Sequence, residues 1–360
     1  MRGLRGKTVG RNLNFTVRVL DMTKDIDVLG IGNAIMDIIA PVPDGFLSAQ
    51  GIERGSMTLV DEPRALSLNA ALKSQADLRE IAGGSAANTM VGIAGLGVRA
   101  GYIGKIGEDG VGKRLAEGYR EAGVWFATKP TSTGTASARC MIAVTPDGQR
   151  SMSTFLGANA DFSIDDIHRD EIARAKTIYL EGYLFDSDTQ KAAYVQAAEH
   201  AQATGGQVAL TLSDSFCVAR HRAGFRHLAE HQTDILFANE EELLALFETD
   251  SLDAALDELT DMRPVVCVTR SDKGSIIQIP KSRPEDGGPR RHYVPAAPIK
   301  QIVDTTGAGD QYAAGVLAGR EMGLSWADAG YLGSLAAAEV IQHYGARPET
   351  PVHFIAAATA

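Results

Sequence analysis

From residue 26 onward, short apolar runs alternate with helix-like stretches, and this alternation constrains the fold more than any other feature. VLGIG, TIYLEGY, QVALTLS, DILFAN and VVCVTR are each brief, β-branched or apolar, and bounded by polar turns. NTMVGIAGLG, GVGKRLAEGYREAG, TQKAAYVQAAEHAQATG and EEELLALFE read as the helices between them. Parallel strands cannot be joined by tight turns, and a helix is the usual crossover. The rhythm therefore predicts an α/β fold with a central, mostly parallel sheet covered by helices on both faces.

Two regions break the rhythm. Residues 37–62 hold the extended pieces IMDIIAPV and GSMTLVD. Residues 134–155 hold ASARCMIAV, the turn TPDGQ and RSMSTF, a hairpin pattern because Pro-Asp-Gly is strong turn chemistry. Together they predict a small second sheet, with a ligand cleft between it and the main sheet. Asp37, a carboxylate in an apolar run, falls at the hinge. Residues 281–292, KSRPEDGGPRRH, read as a loop. A length of 360 residues suits one large or two ordinary domains.

Several function classes drop out. With 35 basic and 45 acidic residues, the net charge is −10 and the pI about 5.3. A nucleic-acid binder needs a basic footprint that this chain lacks. Cys140, Cys217 and Cys267 are far apart in apolar segments, which predicts buried free thiols in a reducing cytoplasm. The eight histidines show no metal-binding spacing. No apolar run reaches the roughly 20 residues that span a bilayer. Residues 1–24, with six basic residues against Asp21, have no apolar core of a secretory signal and read as a disordered extension. GIGNAIMD begins like a dinucleotide fingerprint, but Ile35 stands at the third glycine position and no helix signal follows.

The chemistry concentrates in DTTGAGDQYAAGVLAGREMG, residues 304–323. An extended QIVD runs into TTGAGD, and a helix is expected from about Gln311. Small residues before a helix leave backbone N–H groups outward, and with the helix dipole these make an anion site. Asp310 stands at the same place, where its plain alternative is a helix cap. Phosphoryl transfer to a hydroxyl needs both features: a base for the proton and donors for the passing phosphoryl group.

DTTGAGDQYAAG resembles the signature of the ribokinase-like (PfkB) family of carbohydrate and nucleoside kinases. GGSAANTMVGIAGLG, residues 83–97, resembles its other glycine-rich signature, and NEEE, residues 239–242, its Asn-x-x-Glu. The resemblance runs in order from about residue 26 to 348, so that residues 25–360 form the kinase domain. Within the family the chain is most similar to adenosine kinases, through GIGNAIMD, AGGSAAN, TGTASARCMI, GQRSMST, IYLEGY, LTLSDSF, DILFANEEE and IQHYGARP. The resemblance implies a Rossmann-like three-layer α/β/α domain with a small β-sheet lid. It also implies ATP and magnesium as cofactors, a small-molecule nucleoside or sugar acceptor, purine salvage as the setting, and a monomer, with lid-to-lid pairing into a dimer as the alternative.

The resemblance also implies roles for particular residues. Asp310 deprotonates the 5′-hydroxyl, and Gly307, Ala308 and Gly309 form the anion hole. Asn33 and Asp37 contact the nucleoside, Asp37 through a ribose diol. Gly83 and Gly84 let the substrate approach backbone, and Ser85 and Asn88 add polar contacts; a capped helix start is the plain alternative. Asn239 and Glu242 make a capping-box pattern by spacing alone. The family match adds a magnesium-bound water at Glu242. Arg150 swings over the phosphates on lid closure, and Arg139 is a second candidate. Tyr183 and Leu59 sandwich the base, against ordinary core packing. Thr269 to Gly274, TRSDKG, falls where the family places T-x-G-x-x-G beside ATP, with Ser271 replacing the middle glycine. Thr306 and Asp304 are candidate holders of a monovalent cation, K+. A ribokinase- or fructokinase-like sugar kinase is the alternative activity.

Overall fold

A computed structural model describes residues 24–185, 187–283 and 290–350. The extension expected at residues 1–23 lies outside the described residues, as does the middle of the 281–292 loop. The strands are β1 (Ile26–Ile31), β2 (Ile35–Pro41), β3 (Met57–Leu59), β4 (Arg79–Ala82), β5 (Ala100–Ile103), β6 (Ala138–Val144) and β7 (Arg150–Phe155). They continue with β8 (Ala175–Glu181), β9 (Gln207–Thr211), β10 (Ile235–Asn239), β11 (Val265–Thr269), β12 (Ser275–Gln278) and β13 (Arg291–Val294).

Eight strands form one sheet in the order β13-β12-β11-β10-β9-β8-β1-β5, parallel except at β12 and β13. Successive side chains of a strand point to opposite faces, and here both faces are covered. Tyr179, Phe237 and Cys267 join the core under the helices Ser85–Gly95, Ala308–Glu321 and Trp326–Val340. Ile178, Leu180, Leu236, Val266 and Val268 join the core on the other face. This is why the strands read as continuous apolar runs.

The five-stranded small sheet has the order β3-β7-β6-β2-β4. β6 and β7 pair antiparallel, Val144 opposite Arg150, as the TPDGQ turn predicts. Three readings need correction. β4 was not expected in this sheet; Arg79 and Glu80 are exposed, so nothing in their polarity suggests a strand, yet β4 pairs with β2. Arg291 and His292, read as loop, begin β13, which pairs with β12. The last glycine-rich helix starts at Ala308 rather than Gln311, with Gly307 as its cap.

The strand order fixes where a ligand can sit. From β1 the chain moves outward to β5, then returns to the other side of β1 at β8 and proceeds away. Connections therefore leave β1 and β8 in opposite directions, and the crevice at the C-terminal ends of such strands is the natural site. Among the described residues no helix is long and apolar enough to cross a membrane.

Candidate active site

Ile31 of β1 lies beside Leu180 of β8, so the next residues of both strands emerge together. There Asn33 donates to Glu181 Oε1 from its backbone N–H (3.3 Å) and from Nδ2 (3.1 Å). Glu181 Oε2 accepts the Ala86 N–H at 2.8 Å. Burial pushes the Glu181 carboxyl up to about 7 against these bonds. Sequence reasoning gave Glu181 no role; the available signal was an acid closing the apolar run TIYLE. Asn33 Oδ1 is buried and has no hydrogen-bond partner among the described residues.

Asp37 projects from β2 against the Gly83 turn. A Cβ on Gly83 would lie 2.3 Å from Asp37 Oδ2. The half-buried Asp37 carboxylate makes no hydrogen bond to the described residues, and desolvation pushes it up to about 7 despite the charges of Arg347 and Arg150. Gly84 caps the helix Ser85–Gly95 at φ +97°. This helix packs closely on Ala308–Glu321, where Gly92 leaves room for Gln311 and Ala314. Positions 85, 88 and 92 share one helix face. Ser85 Oγ thus donates to Asp310 Oδ1 (2.6 Å) and Asn88 Nδ2 to Asp310 Oδ2 (3.2 Å). Desolvation raises the Asp310 carboxyl to about 6, and the two bonds oppose that rise.

Asp310 sits in the first turn of its helix, three residues past the cap. The Ala308 N–H turns back to the Thr305 carbonyl (3.2 Å). The N–H groups of Gly309 and Asp310 make no backbone bond to the described residues and are the outward donors at this helix start. Of the expected trio Gly307, Ala308 and Gly309, the Ala308 N–H is thus engaged within the turn.

Arg150 crosses from β7 to this loop and pairs with Asp304 Oδ2 and Thr306 Oγ1. Asp304 also accepts the N–H groups of Thr306 (3.0 Å) and Gly345 (2.9 Å). The side-chain oxygens offered to a monovalent cation are thus held by Arg150. Arg139 points instead to Asp109, with Nη2 3.5 Å from Oδ2.

Farther along the sheet edge, Asn239 and Glu242 form the reciprocal capping box. Glu242 accepts the Asn239 N–H (3.0 Å) and Nδ2 (2.7 Å), and its own N–H bonds Asn239 Oδ1 (2.8 Å). Burial raises Glu242 to about 7. Arg270 Nε bonds Glu240 Oε2 at 3.0 Å, which ties the Thr269–Gly274 turn to this helix start. Ser271 adopts φ +52°, the left-handed conformation that the missing glycine would take without strain. Tyr183 and Leu59 are 37% and 53% exposed, so neither is core packing; Tyr183 donates its hydroxyl to Ser213 O (3.2 Å).

The structure therefore gathers Asn33, Asp37, Gly83, Gly84, Ser85, Asn88 and Asp310 around one crevice. Asn239, Glu242, Thr269 and Gly274 line the ends of β10 and β11. Comparison with known proteins bears on what such a crevice does. Residues 56–352 match the model of the pfkB family carbohydrate kinases. Adenosine kinase 2 of Arabidopsis thaliana is 26% identical over 345 residues, covering 90% of this chain and 96% of that protein. The crystal structure of adenosine kinase from Sinorhizobium meliloti is 43% identical, covers 93% of this chain and 99% of that one, and superposes with a TM-score of 0.83. A protein from Rhizobium etli CFN 42, described as a probable sugar kinase, is 41% identical over 94% of this chain and 99% of its own, with the same TM-score of 0.83. The chain belongs to the pfkB family of carbohydrate kinases, phosphotransferases that act on an alcohol acceptor.

Proposed function

We propose that the chain transfers a phosphoryl group from ATP to the 5′-hydroxyl of a purine nucleoside, with adenosine giving AMP. The observation that carries this is Asp310: a carboxylate raised toward neutrality, held by Ser85 and Asn88, beside the outward N–H groups of a helix start. Asp310 takes the hydroxyl proton as the oxygen attacks the γ-phosphorus in line, and the bond to the bridging oxygen breaks to release ADP. The Gly309 and Asp310 N–H groups hold charge on the phosphoryl oxygens. At the other end of the acceptor, the two oxygens of Asp37 suit the two hydroxyls of a ribose diol, and Asn33 Oδ1 is an acceptor in need of a donor. The exposed faces of Tyr183 and Leu59 supply the apolar surface that a base needs and a free sugar does not.

The small sheet serves as the lid, and Arg150, already across the cleft, is its charged contact with the loop. Glu242 fits magnesium through water: each oxygen already accepts from Asn239 and keeps a lone pair. Among the described residues no cluster of three acids, histidines or cysteines offers a direct site. Held there by Glu242 through water, magnesium would supply positive charge to offset that of the donor phosphates. Three buried free cysteines fit a cytoplasmic setting.

The test is ADP release from ATP–magnesium with adenosine, inosine, guanosine, cytidine, ribose and fructose. We expect turnover with adenosine at the highest kcat/KM. Asp310→Asn should lower kcat by roughly 10²–10⁴-fold while nucleoside binding persists. A free sugar as the best acceptor would overturn the nucleoside assignment, and wild-type turnover by Asp310→Asn would overturn the base.

A further inference from the structure

The turn after the last helix closes the crevice from a side with no assigned role. Three consecutive residues touch three parts of the site. Gly345 N–H donates to Asp304 Oδ2, and Ala346 O accepts Gln311 Nε2 at 3.0 Å. Arg347 Nε–H donates to Asn88 Oδ1 at 3.3 Å. The Arg347 guanidinium lies 5.5 Å from the centre of the Tyr119 ring, and Tyr119 in turn donates to Gly83 O at 3.0 Å. Arg347 Nη2 is buried with no hydrogen-bond partner among the described residues. A cation withdrawn from water is costly unless opposite charge balances it.

We propose that Arg347 is a positioning residue for phosphoryl transfer, which fixes the Asn88 amide with Nδ2 toward Asp310 and places the balancing positive charge for Asp37. The proposal rests on the reading of Asp310 as base and Asp37 as acceptor contact. The two ends of an amide side chain have nearly the same shape but opposite hydrogen-bonding character. A guanidinium only donates, so the Asn88 oxygen must face Arg347 and the NH₂ must face Asp310. Without Arg347 the amide is free to turn its oxygen on the carboxylate.

The second half rests on charge. Asp37 on β2 lies opposite Cys140 on β6 and against the Gly83 turn, whose carbonyl accepts from the hydroxyl of Tyr119, the ring under the Arg347 guanidinium. The charges of Arg347 and of Arg150 on β7 favour its charged form, and that of Asp310 opposes it. Asp310 accepts from Ser85 and Asn88, and its charge adds to the rise of the Asp37 and Glu181 carboxyls. Removing a positive charge beside a carboxylate raises its pKa, so the Asp37 titration must move to higher pH.

The experiment compares wild type with Arg347→Met, Arg347→Lys and Arg347→Gln in two readouts. One is carboxyl NMR titration of the substrate-free protein carrying ¹³C-labelled aspartate, with Asp37→Asn and Asp310→Asn for assignment. The other is the pH profile of kcat. Arg347→Met and Arg347→Gln should raise the Asp37 titration by about one pH unit or more, and Arg347→Lys should restore it. Lysine, like the guanidinium, only donates and should keep most of kcat at pH 8. Methionine offers no donor and glutamine can present its own oxygen, so both should lose roughly ten- to hundredfold. An unchanged Asp37 titration in folded Arg347→Gln overturns the charge role, and equal kcat in the glutamine and lysine variants overturns the amide role. If Arg347→Met does not fold, the other two variants still decide both. A wild type that phosphorylates no nucleoside would remove the functional reading and leave the NMR titration to judge Arg347 alone.

Discussion

The two glycine-rich turns of the site precede helices that pack on each other, yet their glycines answer to different neighbours. At Gly83 and Gly84 the space a side chain would take is already full. A Cβ would meet Asp37 Oδ2 at 2.3 Å in one case and the Asn33 carbonyl oxygen at 2.2 Å in the other. At Gly309 the corresponding space holds nothing within 4 Å, and the φ angle is ordinary for any residue. The first turn is glycine because the protein needs the room. The second has open space where a Cβ would stand, and that room is available to a ligand. One turn is thus part of the scaffold's packing, and the other is a surface kept low.

Exchanging each glycine for alanine tests this difference most severely. Gly84→Ala must hold φ +97° and displace a backbone oxygen, which costs roughly 1–3 kcal/mol from the backbone alone. Its melting temperature should fall clearly. Gly309→Ala sits in a first helical turn without strain and should melt at or slightly above wild type, by a few tenths of a kcal/mol. Its kcat/KM for ATP should nevertheless fall roughly tenfold or more, because a methyl group stands where phosphoryl oxygens approach the N–H groups. Unaltered kinetics in Gly309→Ala would break the comparison and return that glycine to the status of a turn residue.

The same contrast explains what could be read in the sequence. The alternation of strands and helices, the hairpin at residues 138–155 and the capping box of Asn239 and Glu242 are local patterns, and local patterns survive in sequence. Propensity places the start of the Asp310 helix three residues late because Gly307 and Gly309 are poor helix formers. Packing of Gly307 against Ala346 supplies the stop that propensity does not. β4 is four residues with two exposed charges, and only its partner β2 makes it a strand. Glu181 and Arg347 depend on contacts across 148 and 259 residues of chain, with Asn33 and Asn88. No local spacing carries such information.

A second test sharpens the crowded side, where Gly83 makes room for Asp37. The Asp37 carboxyl is raised to about 7 in the folded chain, mainly by desolvation, against an ordinary value near 4. A raised acid contributes stability that is complete below its unfolded pKa and is lost as pH climbs through the folded one. Asp37→Asn keeps the neutral shape at every pH. It should therefore match wild type at pH 4 and exceed it at pH 8. The excess should be on the order of 1–2 kcal/mol, after allowance for the water that reaches this half-buried group. The same variant should raise KM for ribose-bearing acceptors. Melting at the two pH values checks the sign: a variant less stable at pH 8 would mean that Asp37 is held charged by its surroundings.

The smallest effect belongs to a turn that lacks its glycine. Ser271 stands at φ +52° in the turn that Gly274 closes, and the left-handed region costs a residue with a Cβ roughly 1–2 kcal/mol. Ser271→Gly removes that strain but adds freedom to the unfolded chain, so the net gain should be a few tenths of a kcal/mol. Scanning calorimetry should register a rise of about one degree. Ser271 is exposed, and its side chain makes no hydrogen bond among the described residues that the exchange would remove. If the turn is scaffold, as at Gly84, ATP kinetics should stay at wild-type values while stability rises. If KM for ATP falls instead, the turn belongs with Gly309: the serine side chain was standing in space that the donor uses, and the family's glycine at this position serves the ligand rather than the fold.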